Sequence, residues 1–204
     1  MSAGFSASSR STVIRHAVFS PVNPKPHIHT ACIGLGSNLG DSRRLLLDAW
    51  KFLGEHPEIS TVRLSSPYRT EPVDMDSELW FVNAAGLLHT SLEPDELLTV
   101  LQEIEIRLGR IRLADHCGYQ DRTLDLDLLL FDEQLLDTPR LTLPHPAMHK
   151  RAFVLIPLAE IAADLPHPGR KTSVAELLDS LKITESLTGV EPVKWLEDAG
   201  NCLK

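Results

Sequence analysis

Apolar and polar residues alternate strictly from residue 123 to 128, and the chain then turns wholly apolar through Phe131. This is how a strand reads when it runs from a half-wet face into a core. A period of two sets Asp125 and Asp127 on one side and Leu124, Leu126 and Leu128 on the other. Upstream, residues 30–35 have the apolar density of a buried strand. Leu45, Leu46, Leu47, Ala49, Trp50, Phe52 and Leu53 then follow as a helix that Asp41 or Ser42 can cap. Residues 59–65 read as a short strand, and 66–79, with two prolines and no period, as a long loop. A strand at 80–89 leads to a second helix opening at Ser91-Leu92-Glu93-Pro94, with Leu97, Leu101, Ile104 and Leu108 as its buried stripe and Gly109 as its stop.

Residues 110–121 form a second irregular connection into the aspartate strand. Beyond Phe131 come turn signals at Asp132-Glu133 and Asp137-Thr138-Pro139 and an extended piece at 140–143. An apolar segment at 153–158, a short helix at 157–163 and a helix at 174–181 complete the pattern. The order β-α-β-β-α-β predicts an α+β, ferredoxin-like sandwich. Its sheet should be mainly antiparallel, with long active-site loops and extra C-terminal helices.

Composition narrows the class. With 204 residues, 43% hydrophobic and 24% charged, the chain suits one ordinary globular domain. A net charge of −8 argues against bulk binding to nucleic acid or an anionic membrane, and no apolar run reaches the length of a membrane span. Three separated cysteines without a CxxC favour a reducing, intracellular compartment, and the cytoplasm is expected. Residues 1–29 are serine-rich, carry Arg10, Arg15 and Lys25, and hold no acid. They are expected to be a disordered basic leader, with organelle targeting as the alternative. The folded domain is expected at 30–183 and a C-terminal extension at 184–204.

Two acids on one strand face sit roughly 7 Å apart at the backbone, close enough for their side chains to converge on hard cations and a phosphate. The bland alternative is an acidic wet face on a half-buried strand. The density of arginine shifts the balance: Arg110, Arg112, Arg122, Arg140 and Arg151 surround the pair, and guanidinium groups suit phosphate oxygens. Gln102 and Glu105 share a helix face and are either surface polar residues or the wall of a site. Gly34, Gly36 and Gly40 fit neither a dinucleotide fingerprint nor a P-loop and are read as a tight structural turn. His145 and His149 are four apart, but Pro146 lies between them and the glutamate of a zinc helix is missing. A phosphate contact or a satisfied loop residue is expected there.

Four motifs in order carry a resemblance: Gly34-Leu35-Gly36-Ser37-Asn38-Leu39-Gly40-Asp41; Ser65-Ser66-Pro67-Tyr68-Arg69-Thr70-Glu71-Pro72; the run from Arg122 to Phe131; and Leu143-Pro144-His145-Pro146 leading to Arg151-Ala152-Phe153-Val154. With them the chain resembles the 6-hydroxymethyl-7,8-dihydropterin pyrophosphokinases of folate biosynthesis over about residues 31–178. The resemblance implies a ferredoxin-like core and transfer of pyrophosphate from ATP to the pterin, with two magnesium ions on Asp125 and Asp127. It implies Arg110 and Arg122 as catalytic arginines. On the ATP side it implies Gln102, Glu105, Arg110, Arg112, Arg122, Leu128, Arg140, Thr142, His145 and Arg151. On the pterin side it implies Thr70, Val73, Phe81, Asn83, Phe153 and Tyr119. Tyr119 takes the place of the family's usual tryptophan in Gly118-Tyr119-Gln120-Asp121-Arg122. A neighbouring folate-pathway enzyme is an implied partner. The competing class is a non-catalytic nucleotide- or RNA-binding ferredoxin-like module, against which the acidic total and the lack of paired strand aromatics speak.

Overall fold

Strand β1 (His29–Ser37) is the hub of the sheet. It lies between β4 (Phe81–Thr90) and β5 (Asp125–Phe131), and β4 pairs in turn with β2 (Ile59–Leu64), all antiparallel. Helix α1 (Ser42–Glu55) connects β1 to β2, and α2 (Pro94–Arg107) connects β4 to β5. Each crossover therefore brackets one strand of the other unit, which is the ferredoxin-like arrangement expected. The structure is a computed structural model and describes residues 27–72, 78–111, 121–184 and 189–196. Most of the expected leader, the expected site residues Val73, Arg112 and Tyr119, and part of the expected C-terminal extension lie outside the described residues.

Strand parity sorts the core into two layers. Ala31, Ile33, Leu35, Ala84, Leu88, Leu124, Leu126 and Leu128 pack against Leu46, Trp50 and Leu53 of α1 and Leu97, Leu101 and Ile104 of α2. Burial of each large apolar side chain stabilises the fold by about 1.5–3 kcal/mol. On this face Gly86 makes room for Trp50, because a Cβ there would lie 2.4 Å from the indole. The opposite face presents Cys32, Ala85, Leu129 and Leu130 to α3 (Ala152–Ala162) and α4 (Val174–Thr184). A register shift makes this switch. Cys32 pairs with Leu130 and Ile33 with Leu128, so Leu129 is an extra, bulged residue. The bulge lets Leu129 and Leu130 both serve the second layer while Phe131 returns to the first.

Helices α3 and α4 cover only part of that second face. The end bearing Gly34, Gly36, Asn83, Asp125 and Asp127 stays open, and a cleft forms there.

Several local expectations change. The segment 66–79 contains a short strand, β3 (Tyr68–Thr70), on the open edge of β4 beside Phe81 and Asn83. The extended piece at 140–143 is half of a small hairpin, β6 (Leu136–Asp137) with β7 (Thr142–Leu143), and a 3-10 turn follows at Met148–Lys150. Residues 152–162 are one helix, not an apolar segment followed by a second helix starting at Pro157. Pro157 sits inside α3, where its missing donor is tolerated beside buried Leu155, Leu158 and Ile161. A two-stranded ribbon, β8 (Pro166–His167) with β9 (Thr172–Ser173), precedes α4. Residues expected to trail as an extension return to the sheet: β10 (Val190–Pro192) pairs with β3, and Trp195 Nε1 donates to the Ser65 carbonyl at 3.1 Å. Among the described residues no helix is long and apolar enough to cross a membrane.

Candidate active site

The open end of the sheet builds two clefts that share one wall. The first is lined by Gly34, Gly36, Thr70, Phe81, Asn83 and Phe153 around its apolar part, and its empty volume is about 750 Å3 with its mouth included. The second, of about 640 Å3, is lined by Leu98, Gln102, Glu105, Arg110, Leu126 and His145. Arg122, Asp125, Asp127 and Arg151 line both. A ligand in either cleft therefore meets one carboxylate pair and one arginine pair.

The first cleft is shaped by parity and by missing side chains. Gly34 and Gly36 lie within β1, opposite Asp127 and Asp125, so they are not turn residues as the spacing predicted. Only Gly40 is, with φ of 75°. A Cβ on Gly36 would stand 2.8 Å from Asn83 Oδ1, so the bare backbone there keeps Asn83 and the cleft floor in place. Asn83 is buried and donates from Nδ2 to Thr70 Oγ1 at 2.8 Å. A flat heterocycle with an amide edge suits this floor, with Phe81 and Phe153 as aromatic walls.

The Gly-Ser-Asn-Leu-Gly turn has a different task from the phosphate cradle it superficially suggests. Asn38 Oδ1 accepts from Arg122 N at 2.8 Å, Asn38 N donates to Arg122 O at 3.2 Å, and Asn38 Nδ2 donates to Asp121 Oδ1 at 2.6 Å. One side chain after β1 thus fixes the backbone that delivers Arg122.

The second cleft is electrostatically tight. Asp125 accepts from Arg110 at 2.5 Å and from Arg122 at 2.6 Å, and Arg110 also pairs with Glu105. Glu105 is buried and accepts from Leu126 N at 2.8 Å, so it belongs to the wall of the site and not to the surface. Burial first, and then the charge of Asp125, pushes the Asp127 carboxyl up to about 7, against the pull of Arg151 and Arg122. His145 is held below the ordinary histidine value by burial and by Arg151, so it is an uncharged imidazole at neutral pH.

This donor set answers whether divalent cations fit. Two carboxylates share a half-buried corner, one held by arginines and the other biased toward its neutral form. Hard cations that prefer oxygen ligands would relieve that repulsion, and Asp125 and Asp127 are the residues that would hold them.

Not every expected residue reaches the clefts. Leu128 is 3% exposed and faces the α1–α2 core, so its side chain is not available to a nucleotide. Its parity with Leu124 and Leu126 already required this. Arg140 and Thr142 line neither cleft; Arg140 donates to Thr99 Oγ1 at 2.7 Å on α2, and Thr142 lies 3.4 Å from Asp137. Conversely, Gly34, Gly36, Glu71, Leu98 and Val154 line the clefts without having been expected. For the glycines the signal was present: two glycines two apart inside a strand mark a face kept bare.

Fold and site together define a ferredoxin-like α+β protein with two clefts that meet at a junction of carboxylates and arginines. The chain belongs to the 7,8-dihydro-6-hydroxymethylpterin-pyrophosphokinase (HPPK) family, whose sequence model matches residues 32–163. It is 38% identical to the 2-amino-4-hydroxy-6-hydroxymethyldihydropteridine pyrophosphokinase of Bacillus subtilis over 161 residues, 79% of this chain and 93% of that protein. With the protein of the same name from Pseudomonas aeruginosa it shares 44% over 141 residues, 69% and 85% of the two chains. In fold it is similar to the Plasmodium falciparum HPPK-DHPS triple mutant with STZ-DHP, at a TM-score of 0.60 and 13% identity. That match covers 76% of this chain and 43% of the other.

Proposed function

We infer that this chain transfers a diphosphoryl group from ATP to the hydroxymethyl oxygen of 6-hydroxymethyl-7,8-dihydropterin, the pyrophosphokinase reaction of folate biosynthesis. The observation that carries this reading is the shared wall: Arg122, Asp125, Asp127 and Arg151 border both clefts. A pterin against Asn83 and a triphosphate along Arg110, Gln102 and His145 would meet there. The pterin hydroxyl attacks the β-phosphorus, the bond from that phosphorus to the α,β-bridging oxygen breaks, AMP leaves, and the hydroxyl proton is released.

Positioning does most of the work in such a transfer. Magnesium, two ions in this reading, supplies charge neutralisation on the phosphates when held by Asp125 and Asp127. Thr70 and Asn83 orient the heterocycle, and Phe81 and Phe153 exclude water from its faces. Arg110 and Arg122 pair with Asp125, and their guanidinium groups are placed to turn to the phosphates once that carboxylate has another counter-charge. The family resemblance assigns Val73 and Tyr119 to the pterin and Arg112 to ATP, and Leu128 contributes through its backbone. Arg140 and Thr142 sit further out on the β6–β7 hairpin and act at the nucleotide's outer rim.

The same reading assigns residues 30–183 to the catalytic domain, 1–29 to a leader and 184–204 to an extension, and it assigns the chain to the cytoplasm. The pairing of HPPK with DHPS in the Plasmodium falciparum chain supports an enzyme of the same pathway as a physical neighbour. The test is AMP release from ATP with Mg2+, with and without hydroxymethyl-dihydropterin. AMP formed only when the pterin is present is the expected result. ATP turnover indifferent to the pterin overturns the proposal.

A further inference from the structure

The far end of the β1–β5 pair carries a second cluster of ligating side chains. Asp127 pairs with Gly34, and His29 lies five residues further along β1, about 17 Å away at ~3.3 Å per residue. There, one ligand atom each from His27, His29 and Asp132 lies within 4.8 Å of the other two. His29 is 6% exposed, and its Nδ1 is 2.6 Å from Asp132 Oδ2. The other Asp132 oxygen accepts from Thr30 N at 2.7 Å, and Asp132 N donates to Thr30 O at 2.8 Å, so the carboxylate cannot swing away. The His27 ring stands edge-on to His29, with centroids 4.5 Å apart. On the other side of the His29 ring, Nε2 faces Glu93 Oε1 at 3.7 Å, where an outer carboxylate orients a metal-bound imidazole.

We propose that His27, His29 and Asp132 form a binding site for one transition-series divalent cation of the Zn2+ type, separate from the magnesium-binding pair. Two imidazoles and one carboxylate suit Zn2+ far better than Mg2+, which seeks oxygen ligands alone. Extended chain places alternate residues on one side, so the His-x-His spacing lets both rings turn toward Asp132. The cation takes the place of the hydrogen bond between His29 Nδ1 and Asp132, the imidazole N–H moves to Nε2 on the Glu93 side, and water fills the remaining positions. Its effect is structural: it clamps the chain entering β1 onto the end of β5. The site lies outside both clefts, so transfer chemistry does not depend on it.

The test is calorimetric titration of Zn2+ into the full chain, in the Asp127→Asn background, which breaks the catalytic carboxylate pair, and with excess Mg2+ present to compete for the Asp125 that remains. One equivalent is expected to bind and to raise the melting temperature. His27→Ala removes an exposed ring and should leave the zinc-free melting temperature unchanged. It should weaken Zn2+ binding by more than the roughly 10–100-fold that loss of an outer partner costs. His27→Gln, which keeps the bulk without the imidazole, should behave alike. Undiminished Zn2+ binding in both His27 variants, or no saturable binding in the Asp127→Asn background, overturns the site.

Discussion

Asn83 Nδ2 donates to Thr70 Oγ1 at 2.8 Å, and this bond joins the central strand β4 to the short strand β3. The amide is thereby fixed with Oδ1 beside Gly36, on the cleft floor. Thr70→Val keeps the shape and removes the acceptor. The KM for the pterin should rise about two- to tenfold, the worth of one neutral hydrogen bond, with the KM for ATP unchanged. An equal rise in both would show that the variant disturbs the sheet and not the heterocycle's subsite.

Gly36→Ala tests the bare floor. Its Cβ would force Asn83 Oδ1 from 2.8 Å, whereas Gly34→Ala would only touch Leu129 at 3.6 Å. Gly36→Ala should therefore cost at least about tenfold in kcat/KM for the pterin, the scale of one misplaced methyl in a pocket. Titration with a non-hydrolysable ATP analogue should be normal. Wild-type pterin kinetics would remove Gly36 from the site.

Asp127→Ala should abolish transfer by two or more orders of magnitude, on the scale of losing one pre-organised electrostatic partner in an active site. The residue lines both clefts and stands outside the apolar core clusters, so circular dichroism and cooperative melting should persist. Full AMP release in this variant would dismiss the carboxylate pair as the metal site.

The raised Asp127 carboxyl also gives a pH signature. Its ordinary value is 3.8 and the fold lifts it to about 7, so between those limits the folded state holds the proton more tightly than the unfolded chain. Stability of the magnesium-free protein should therefore fall as pH rises from about 4 to about 7, then level off. Asp127→Asn should flatten that part of the curve in urea melts at a series of pH values. Magnesium must displace the same proton below neutrality, so its stabilising effect should be larger at pH 8 than at pH 6. A wild-type curve that tracks Asp127→Asn would refute the assignment.

Arg122→Ala should lower kcat more than it weakens ATP binding, because the guanidinium is paired with Asp125 and, in the proposed reaction, turns to the phosphates only as transfer proceeds. Single-turnover AMP release combined with analogue titration separates the two effects. Equal losses would make Arg122 a ground-state contact.

Part of this architecture was legible at the level of residues. The alternation around Asp125 and Asp127 gave the correct faces, and the stripes through Leu97 and Leu101 gave the correct helix. The stretch around Pro157 was not legible. A segment apolar almost all round carries no helical phase, and a proline in it looks like a start although it sits mid-helix. The strands β3 and β10 are three residues each and hydrogen-bond to partners far along the chain, so no local period announces them.

By itself the order of residues determined which side of the aspartate strand is wet, where α1, α2 and α4 lie, and which motifs place the chain in its family. Those properties depend on neighbours within a few positions, where covalent geometry alone imposes the period. Only the tertiary structure decided that Gly36, Asn83 and Asp125 stand side by side, that a bulge at Leu129 turns both Leu129 and Leu130 to the α3–α4 layer, and that Arg110 and Arg122 converge on Asp125. Register between strands is set by burying both faces of the sheet at once, and that condition exists only after distant segments have packed together.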